Sequence, residues 1–339
     1  MRTIEWHNGT VVTIDQTKLP SEEVFITIKN PEEMAEAIKT MKIRGAPLLG
    51  AAAAYALALA ACNSKAANKE ELLRDLESSA EIIRRTRPTA VNLFWALDRI
   101  LKKAKTLKTD RKGLAAFVME EANRIADEDA TANKAMGKYG AELIKDGDVI
   151  LTHCNAGALA CVEYGTALGV VRAAWEQGKR IKVISAETRP LLQGARLSVY
   201  EMKKEGIPVT LITDNMVGYV MFRKMVNKVI VGADRIVRDA VINKIGTYGV
   251  AVLAKEHKVP FYVAAPTSTF DLTRTAKEVV IEERNPEEVT YIGSKRITVE
   301  DVNVLNPAFD ITPLKYVTAV ISEKGILKPE FFRKGKANR

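Results

Sequence analysis

The sequence lacks the glycine fingerprints of common nucleotide binders. No G-x-G-x-x-G follows a strand-like run, and no G-x-x-x-x-G-K-[ST] occurs, which argues against a dehydrogenase or a P-loop protein. Cysteine is scarce. Cys62, Cys154 and Cys161 show neither paired metal spacing nor a disulfide framework, so, with no export signal, a cytoplasmic location is expected. No apolar run is long enough for a bilayer. The longest, "LLGAAAAYALALAAC" (48–62), is short, rich in alanine and far from the N-terminus, and predicts a buried helix rather than a membrane partner. A basic block is missing as well. The net charge of +9 comes from lysines interleaved with glutamates, which argues against nucleic acid as a partner. Glutamine, at three residues beside abundant Lys and Glu, hints at a thermophilic source.

What is present is enough for two well-filled cores. The chain has 339 residues, 47% hydrophobic and 27% charged, the balance of a globular protein. Residues 1–30 alternate in short runs around Asn8-Gly9 and predict a β-hairpin or meander. From Pro31 to about Lys145 the helical period dominates, as in "PEEMAEAIKTMKI", "KEELLRDLESSAEIIRRT" and "AVNLFWALDRILKKA". After Lys145 short β-branched runs take over: "DVILTH", "KVISA", "VTLIT", "KVIVGA" and "FYVAA", each followed by amphipathic sequence of helix length. Such spacing implies βαβ crossovers and a doubly wound parallel sheet. The expected fold is therefore α/β, with a mostly helical N-terminal domain (1–125, opened by the β-meander) and a Rossmann-like domain (126–339). The boundary falls within 120–147, in or just after a connecting helix.

The chemistry gathers where these strands end. His153-Cys154-Asn155, Glu187-Thr188-Arg189, Asp214-Asn215, Asp234-Arg235 and Thr267-Ser268 follow the five runs in turn. In open parallel sheets ligands bind beyond the carboxyl ends of the strands, so these residues would converge. Cys154 is expected at a helix N-terminus, where the dipole favours thiolate. Cys161, two helical turns later, and Cys62, in the alanine-rich helix, are expected to be inert packing. Alternation turns His153 away from what Cys154 faces, giving it a supporting role. Asp234, after an apolar strand, would be partly desolvated and suited to donate a proton. Three further pieces suit phosphate: Arg44 and Gly45 ahead of Pro47 in "IRGAPLLG", Arg87 in "TRPTAVNL", and Asn243-Lys244 in "INKIGTYG", each before a helix. Together they point to a small phosphorylated ligand.

The strings "RGAP", "RPTAVNLFWAL", "THCNAGALA", "ETRPLLQGARL", "GADRI…NKIGTYG", "FYVAAPTSTFD" and "NPAFDITP" occur in an order that resembles the methylthioribose-1-phosphate isomerases of methionine salvage. The likeness runs from about Trp6 to Ile326. The wider family also holds ribose-1,5-bisphosphate isomerases and regulatory subunits of a translation initiation factor's nucleotide exchanger. The resemblance implies an aldose–ketose isomerase without cofactor or metal, usually a homodimer, acting on a small phosphorylated sugar. It places catalysis on Cys154 and Asp234, and phosphate and sugar contacts on Arg44, Gly45, Ala46, Arg87, Gln193, Asn243 and Lys244. One stretch departs from the isomerase pattern: "RIVRDAVINK" is a residue shorter than usual, with Arg238-Asp239 in the loop before the "NK" pair.

Overall fold

The computed structural model describes residues 2–333. Its contacts fall into two units, one holding residues up to Ala135 together with Ala156–Gly169, the other Met136–Asn155 with Val170 onward.

The first unit opens with an antiparallel meander of β1 (Ile4–His7), β2 (Thr10–Ile14) and β3 (Phe25–Ile28). Asn8 and Gly9 form the two-residue turn with φ of 47° and 84°; positive φ at both positions gives the turn twist that matches paired strands. Helices α1 (Pro31–Lys39), α2 (Ala46–Asn63), α3 (Lys69–Arg84), α4 (Val91–Thr106) and the larger part of α5 (Arg111–Ala141) follow. Asn30 and Asn68 cap α1 and α3 by accepting the N–H groups of Glu33 and Glu71. The helix α2 is apolar on every face, and its residues from Ala46 to Ala61, Pro47 excepted, are buried. By length and composition it could cross a membrane, but here it is the centre of a helical core. Its small residues let neighbours approach: a Cβ on Gly50 would lie 3.2 Å from the carbonyl oxygen of Asn92 on α4. Cys62 does not join this core. It sits on the last turn of α2, where the helix emerges, and is exposed.

The second unit is built on a seven-stranded sheet of order β15-β14-β10-β7-β4-β5-β6. The strands β4 (Val149–Thr152), β5 (Lys182–Ala186) and β6 (Val209–Ile212) step outward, with α6 (Ala167–Glu176) and α7 (Val199–Lys204) between them. After α8 (Val217–Phe222) the chain returns to the other side of β4 with β7 (Lys228–Val231). A hairpin of β8 (Arg235–Ile236) and β9 (Ala240–Lys244) and the helix α9 (Thr247–Glu256) lead to β10 (Phe261–Ala264). The short α10 (Glu287–Thr290), the hairpin β11 (Tyr291–Ile292) and β12 (Lys295–Arg296), and β13 (Phe309–Pro313) precede β14 (Ala319–Ser322), β15 (Gly325–Leu327) and α11 (Pro329–Arg333). All sheet pairings are parallel except β14 with β15. Every residue of β7 and β10 is buried, which is why these runs read as continuous β-branched sequence. The predicted α/β class and five strands hold. The separate antiparallel sheet β13-β9-β8 and the edge pair β14-β15 go beyond the expectation, and Asn243-Lys244 lie on strand β9.

No helix starts at Cys154. The segment after it is a loop with a single 3-10 turn, Ala158–Ala160, and α6 begins at Ala167. Gly157 and Gly165 bridge each other, and a Cβ on Gly165 would lie 2.4 Å from the backbone of Gly157, so the loop closes on itself and cannot be helical. Cys161 is buried, as expected, but in this loop.

Candidate active site

In the second unit the winding order fixes what meets what. The chain lays β5 and β6 on one side of β4, then β7 and β10 on the other, so the direction of winding reverses between β4 and β7. Such a reversal opens a crevice at the carboxyl ends of the two strands. Cys154 leaves β4 and Asp234 leaves β7, adjacent parallel strands, at that edge. Both side chains are partly buried.

Asp234 is held by its neighbours on the hairpin. Its N–H donates to the carbonyl of Ile242 (3.0 Å), one residue before Asn243. The shortened loop is a tight two-residue hairpin turn: Val237 N–H donates to Ala240 O (2.9 Å) across Arg238-Asp239. Asp239 is anchored too, its carboxylate accepting from Ala276 N–H (2.8 Å) and its carbonyl from Leu314 N–H (2.9 Å). Asn243 and Lys244 are buried on β9. Asn243 Nδ2 donates to Thr247 Oγ1 (3.0 Å), and Lys244 Nζ lies 5.3 Å from the Phe309 ring centre, a cation–π distance.

The start of the next helix is occupied by Asp310. Its carboxylate already accepts from Gly246 N–H (2.7 Å) and Tyr248 N–H (3.1 Å) at the start of α9. Burial pushes the Asp310 carboxyl up to about 6, against the pull of those two N–H groups and of Lys244. The string "NPAFDITP" contains this residue, but nothing local in it signals a cap for a helix 60 positions away.

His153 is buried and takes the supporting role expected of it. Nε2 meets the carbonyl of Ile245 at 2.8 Å, which only an N–H can do, so the proton of the neutral ring sits on Nε2. Burial pushes the imidazole down, and Lys244 adds to this, while the Ile245 carbonyl and Asp214 oppose it. Gly246 makes room: a Cβ there would stand 2.9 Å from the ring, and its φ is 103°. With no helix beginning there, Cys154 stands in a different environment from the expected helix N-terminus. Its backbone is left-handed (φ 66°), and its N–H donates to Thr188 Oγ1 (2.8 Å).

Gln193 lies on the loop after β5, next to the strand of Cys154, and is 4% exposed. Gly194 beside it touches the strand end so closely that a Cβ would lie 1.8 Å from Ala186 O. Buried Gln193 Oε1, Thr152 Oγ1 and His153 Nδ1 have no hydrogen-bond partner among the described residues. Gln193 Oε1 and Thr152 Oγ1 are thus available to a polar ligand, while His153 Nδ1 faces Asp214 Oδ1 at 3.8 Å. Cys154, Gln193 and Asp234 follow β4, β5 and β7 at one edge of the seven-stranded sheet, while Asn243 and Lys244 stand on β9 of the separate antiparallel sheet, tied to Asp234 through Ile242.

The other predicted contacts lie in the first unit. Arg44 is buried ahead of α2, whose N-terminus no side chain caps. Gly45 has φ 102°, and a Cβ there would strike Ala160 at 2.5 Å; Ala46 and Pro47 open the helix. Arg87, in the turn before α4, reaches Met41 Sδ (3.4 Å), three residues before Arg44. This unit therefore draws Arg87 toward the segment that carries Arg44, beside an uncapped helix N-terminus.

The pattern of the Initiation factor 2 subunit family matches residues 42–329. The chain belongs to that family. A putative methylthioribose-1-phosphate isomerase of Archaeoglobus fulgidus is 56% identical over 332 residues, 98% of this chain and 97% of the relative. Among solved structures, 5-methylthioribose 1-phosphate isomerase from Pyrococcus horikoshii matches at 49% identity with TM-score 0.91, covering 98% of this chain and 94% of that one. A structure described as translation initiation factor eIF-2B, subunit delta, from A. fulgidus matches at 55% identity with TM-score 0.87, covering 98% and 97%. Family membership by itself spans catalysts and subunits of larger assemblies, so the site must decide between them.

Proposed function

We propose that this chain is an aldose–ketose isomerase converting 5-methylthioribose-1-phosphate to 5-methylthioribulose-1-phosphate in methionine salvage. The observation that carries the reading is that Cys154 and Asp234 follow the ends of adjacent parallel strands at the winding reversal. A regulatory subunit has no need of that pair. The similarity to isomerases over nearly the full chain supports the same conclusion.

Phosphate on the C1 oxygen blocks simple ring opening to an aldehyde, so the enzyme must open the ring itself. Asp234, as a neutral acid, donates a proton to the ring oxygen as the bond from C1 to that oxygen breaks. Cys154 as thiolate takes the C2 proton while C1 and C2 form an enol phosphate. Return of that proton to C1, with the C2 hydroxyl proton passing back to Asp234, leaves the ketone at C2. In the other balanced route hydride moves from C2 to C1 and Cys154 steadies the charge. Deuterium at C2 separates them: partial loss to solvent follows proton abstraction, and full retention at C1 follows hydride transfer. The phosphate and sugar contacts that the resemblance implies are Arg44, Gly45, Ala46, Arg87, Gln193, Asn243 and Lys244. The reaction as written uses no cofactor or metal.

A homodimer belongs to the proposal. Leu211 on the edge strand β6 and Met216, Tyr219, Phe222 and Met225 around α8 are exposed, Phe222 by 70%, an apolar surface suited to a second copy. Sedimentation of the purified protein tests it. A cytoplasmic location accords with three cysteines that form no disulfide. The activity is tested by incubating pure protein with methylthioribose-1-phosphate or ribose-1,5-bisphosphate and following phosphorus NMR. The expected result is turnover of the first sugar; turnover of the second instead, or of neither, rejects the assignment.

A further inference from the structure

Three residues near the candidate thiol hold backbone conformations that side chains disfavour. Cys154 has φ 66°, Thr188 has φ 65° and Leu192 has φ 58°. Thr188 is the most costly, because a β-branched side chain crowds the left-handed region. Strain of this kind persists only where the surroundings over-determine it.

Those surroundings are traceable atom by atom. Asp214, just past the end of β6, accepts the N–H of Thr188 on Oδ1 (2.8 Å) and the N–H of Arg189 on Oδ2 (2.7 Å). The Thr188 hydroxyl gives its proton to Ala186 O (3.1 Å), which leaves its lone pair to accept the N–H of Cys154 (2.8 Å). On the other side of Cys154, Ser198 Oγ donates to the Cys154 carbonyl (2.8 Å). Asn155 Nδ2 donates to Ser198 Oγ (3.2 Å) and to Glu201 Oε1 (2.9 Å), holding that end in turn. Both peptide groups flanking the Cys154 Cα are therefore fixed, and the ends of β4, β5 and β6 are tied to one carboxylate.

We infer that Thr188, anchored by Asp214, is a positioning residue that fixes the direction of the Cys154 Cα–Cβ bond for catalysis. A hydroxyl has one proton, and Ala186 takes it, so the polarity of the chain from Asp214 to Cys154 cannot invert. Serine can make the same two bonds. Valine keeps the shape and makes neither. Glycine makes neither but relieves the left-handed strain, so it separates positioning from stability. The inference rests on the reading of Cys154 as the catalytic thiol.

The test measures kcat, KM and thermal midpoint for Thr188→Ser, Thr188→Val and Thr188→Gly, with Cys154→Ser alongside. The expected result is that Thr188→Val and Thr188→Gly lose roughly tenfold to a hundredfold in kcat at near-constant KM, as small misplacements of a reacting group do. Thr188→Gly should lose it with a midpoint no lower than that of Thr188→Val, and Thr188→Ser should recover most of the rate. If Thr188→Val does not fold, Thr188→Gly alone decides. Wild-type kcat in Thr188→Gly, or equal loss in the serine and glycine variants, overturns the inference. An active Cys154→Ser overturns the underlying reading of the thiol instead, whatever the Thr188 variants do.

Discussion

The helix α2 and the carboxyl edge of the sheet are both largely buried, yet they are opposite kinds of interior. In α2 most side chains are small or aliphatic and pack on all sides, and the buried Tyr55 hydroxyl is answered by Asn123 Oδ1 (3.2 Å). Where a carboxylate is buried nearby, as Glu121 is, Arg99, Lys103 and Arg124 reach it at 2.8, 2.5 and 2.5 Å. Burial pushes the Glu121 carboxyl up, but the bonds from Lys103 and Arg99 outweigh it and hold the group below its ordinary value. At the sheet edge Thr152, His153 and Gln193 keep unanswered polar atoms, and left-handed Cys154 and Thr188 hold strain. The first interior is almost wholly apolar, and the second gathers polar groups and backbone strain where the strands end. Stability and activity should therefore part along this line.

The largest effect expected is on the edge. Cys154→Ser and Asp234→Asn should each lower kcat by roughly 10²- to 10⁴-fold, the usual share of a proton-transfer group, while the thermal midpoint stays within a few degrees. Near wild-type turnover in either would erase the contrast. The converse comes from α2. Leu57 is fully buried there, and Leu57→Ala should cost about 2–5 kcal/mol in urea unfolding through the lost contacts and the cavity left behind. Its kcat well below the midpoint should be nearly unchanged, and a loss matching that of Cys154→Ser would show that the two interiors are not separable.

A smaller effect is expected from pH. Burial pushes Asp129 on α5 up to about 7, while the N–H of Val162 (2.8 Å) and Asn133 Nδ2 (3.0 Å) on its Oδ2 pull it down. An unfolded aspartate titrates near ~4, so between there and about 7 the folded chain holds a proton that the unfolded chain has released. The contribution to stability is complete below pH ~4 and is lost as pH rises through about 7. Asp129→Asn should remove this slope, so the midpoint difference between variant and wild type should change across that range. A constant difference would mean that Asp129 titrates normally.

Much of the fold was legible because it depends on runs: "KVIV" and "FYVA" are buried on both faces, and α2 announces itself by its alanines. The places of Cys154 and Asp234, each just past a strand end, were legible from the runs that precede them. The loop after Cys154 was misread since "AGALAC" has helical composition, and only the contact of Gly157 with Gly165 forbids the helix. Cys62 was misplaced because a helix apolar on all sides gives no sign of where its end emerges. Thr188, Asp214 and Asp310 act across 26 to 64 positions of sequence, through single hydrogen bonds that no local pattern encodes.

The reversal of winding between β4 and β7 also sets an order of events in time. As the chain leaves the ribosome, β4, β5 and β6 can pair in sequence, with Cys154 present and its Asp214 anchor complete. Asp234 has no place until β7 has emerged and come back to the far side of β4. The two residues are thus brought to one edge by a pairing 78 positions apart, Ile150 with Lys228, a long-range contact whose loop-closure entropy slows its formation.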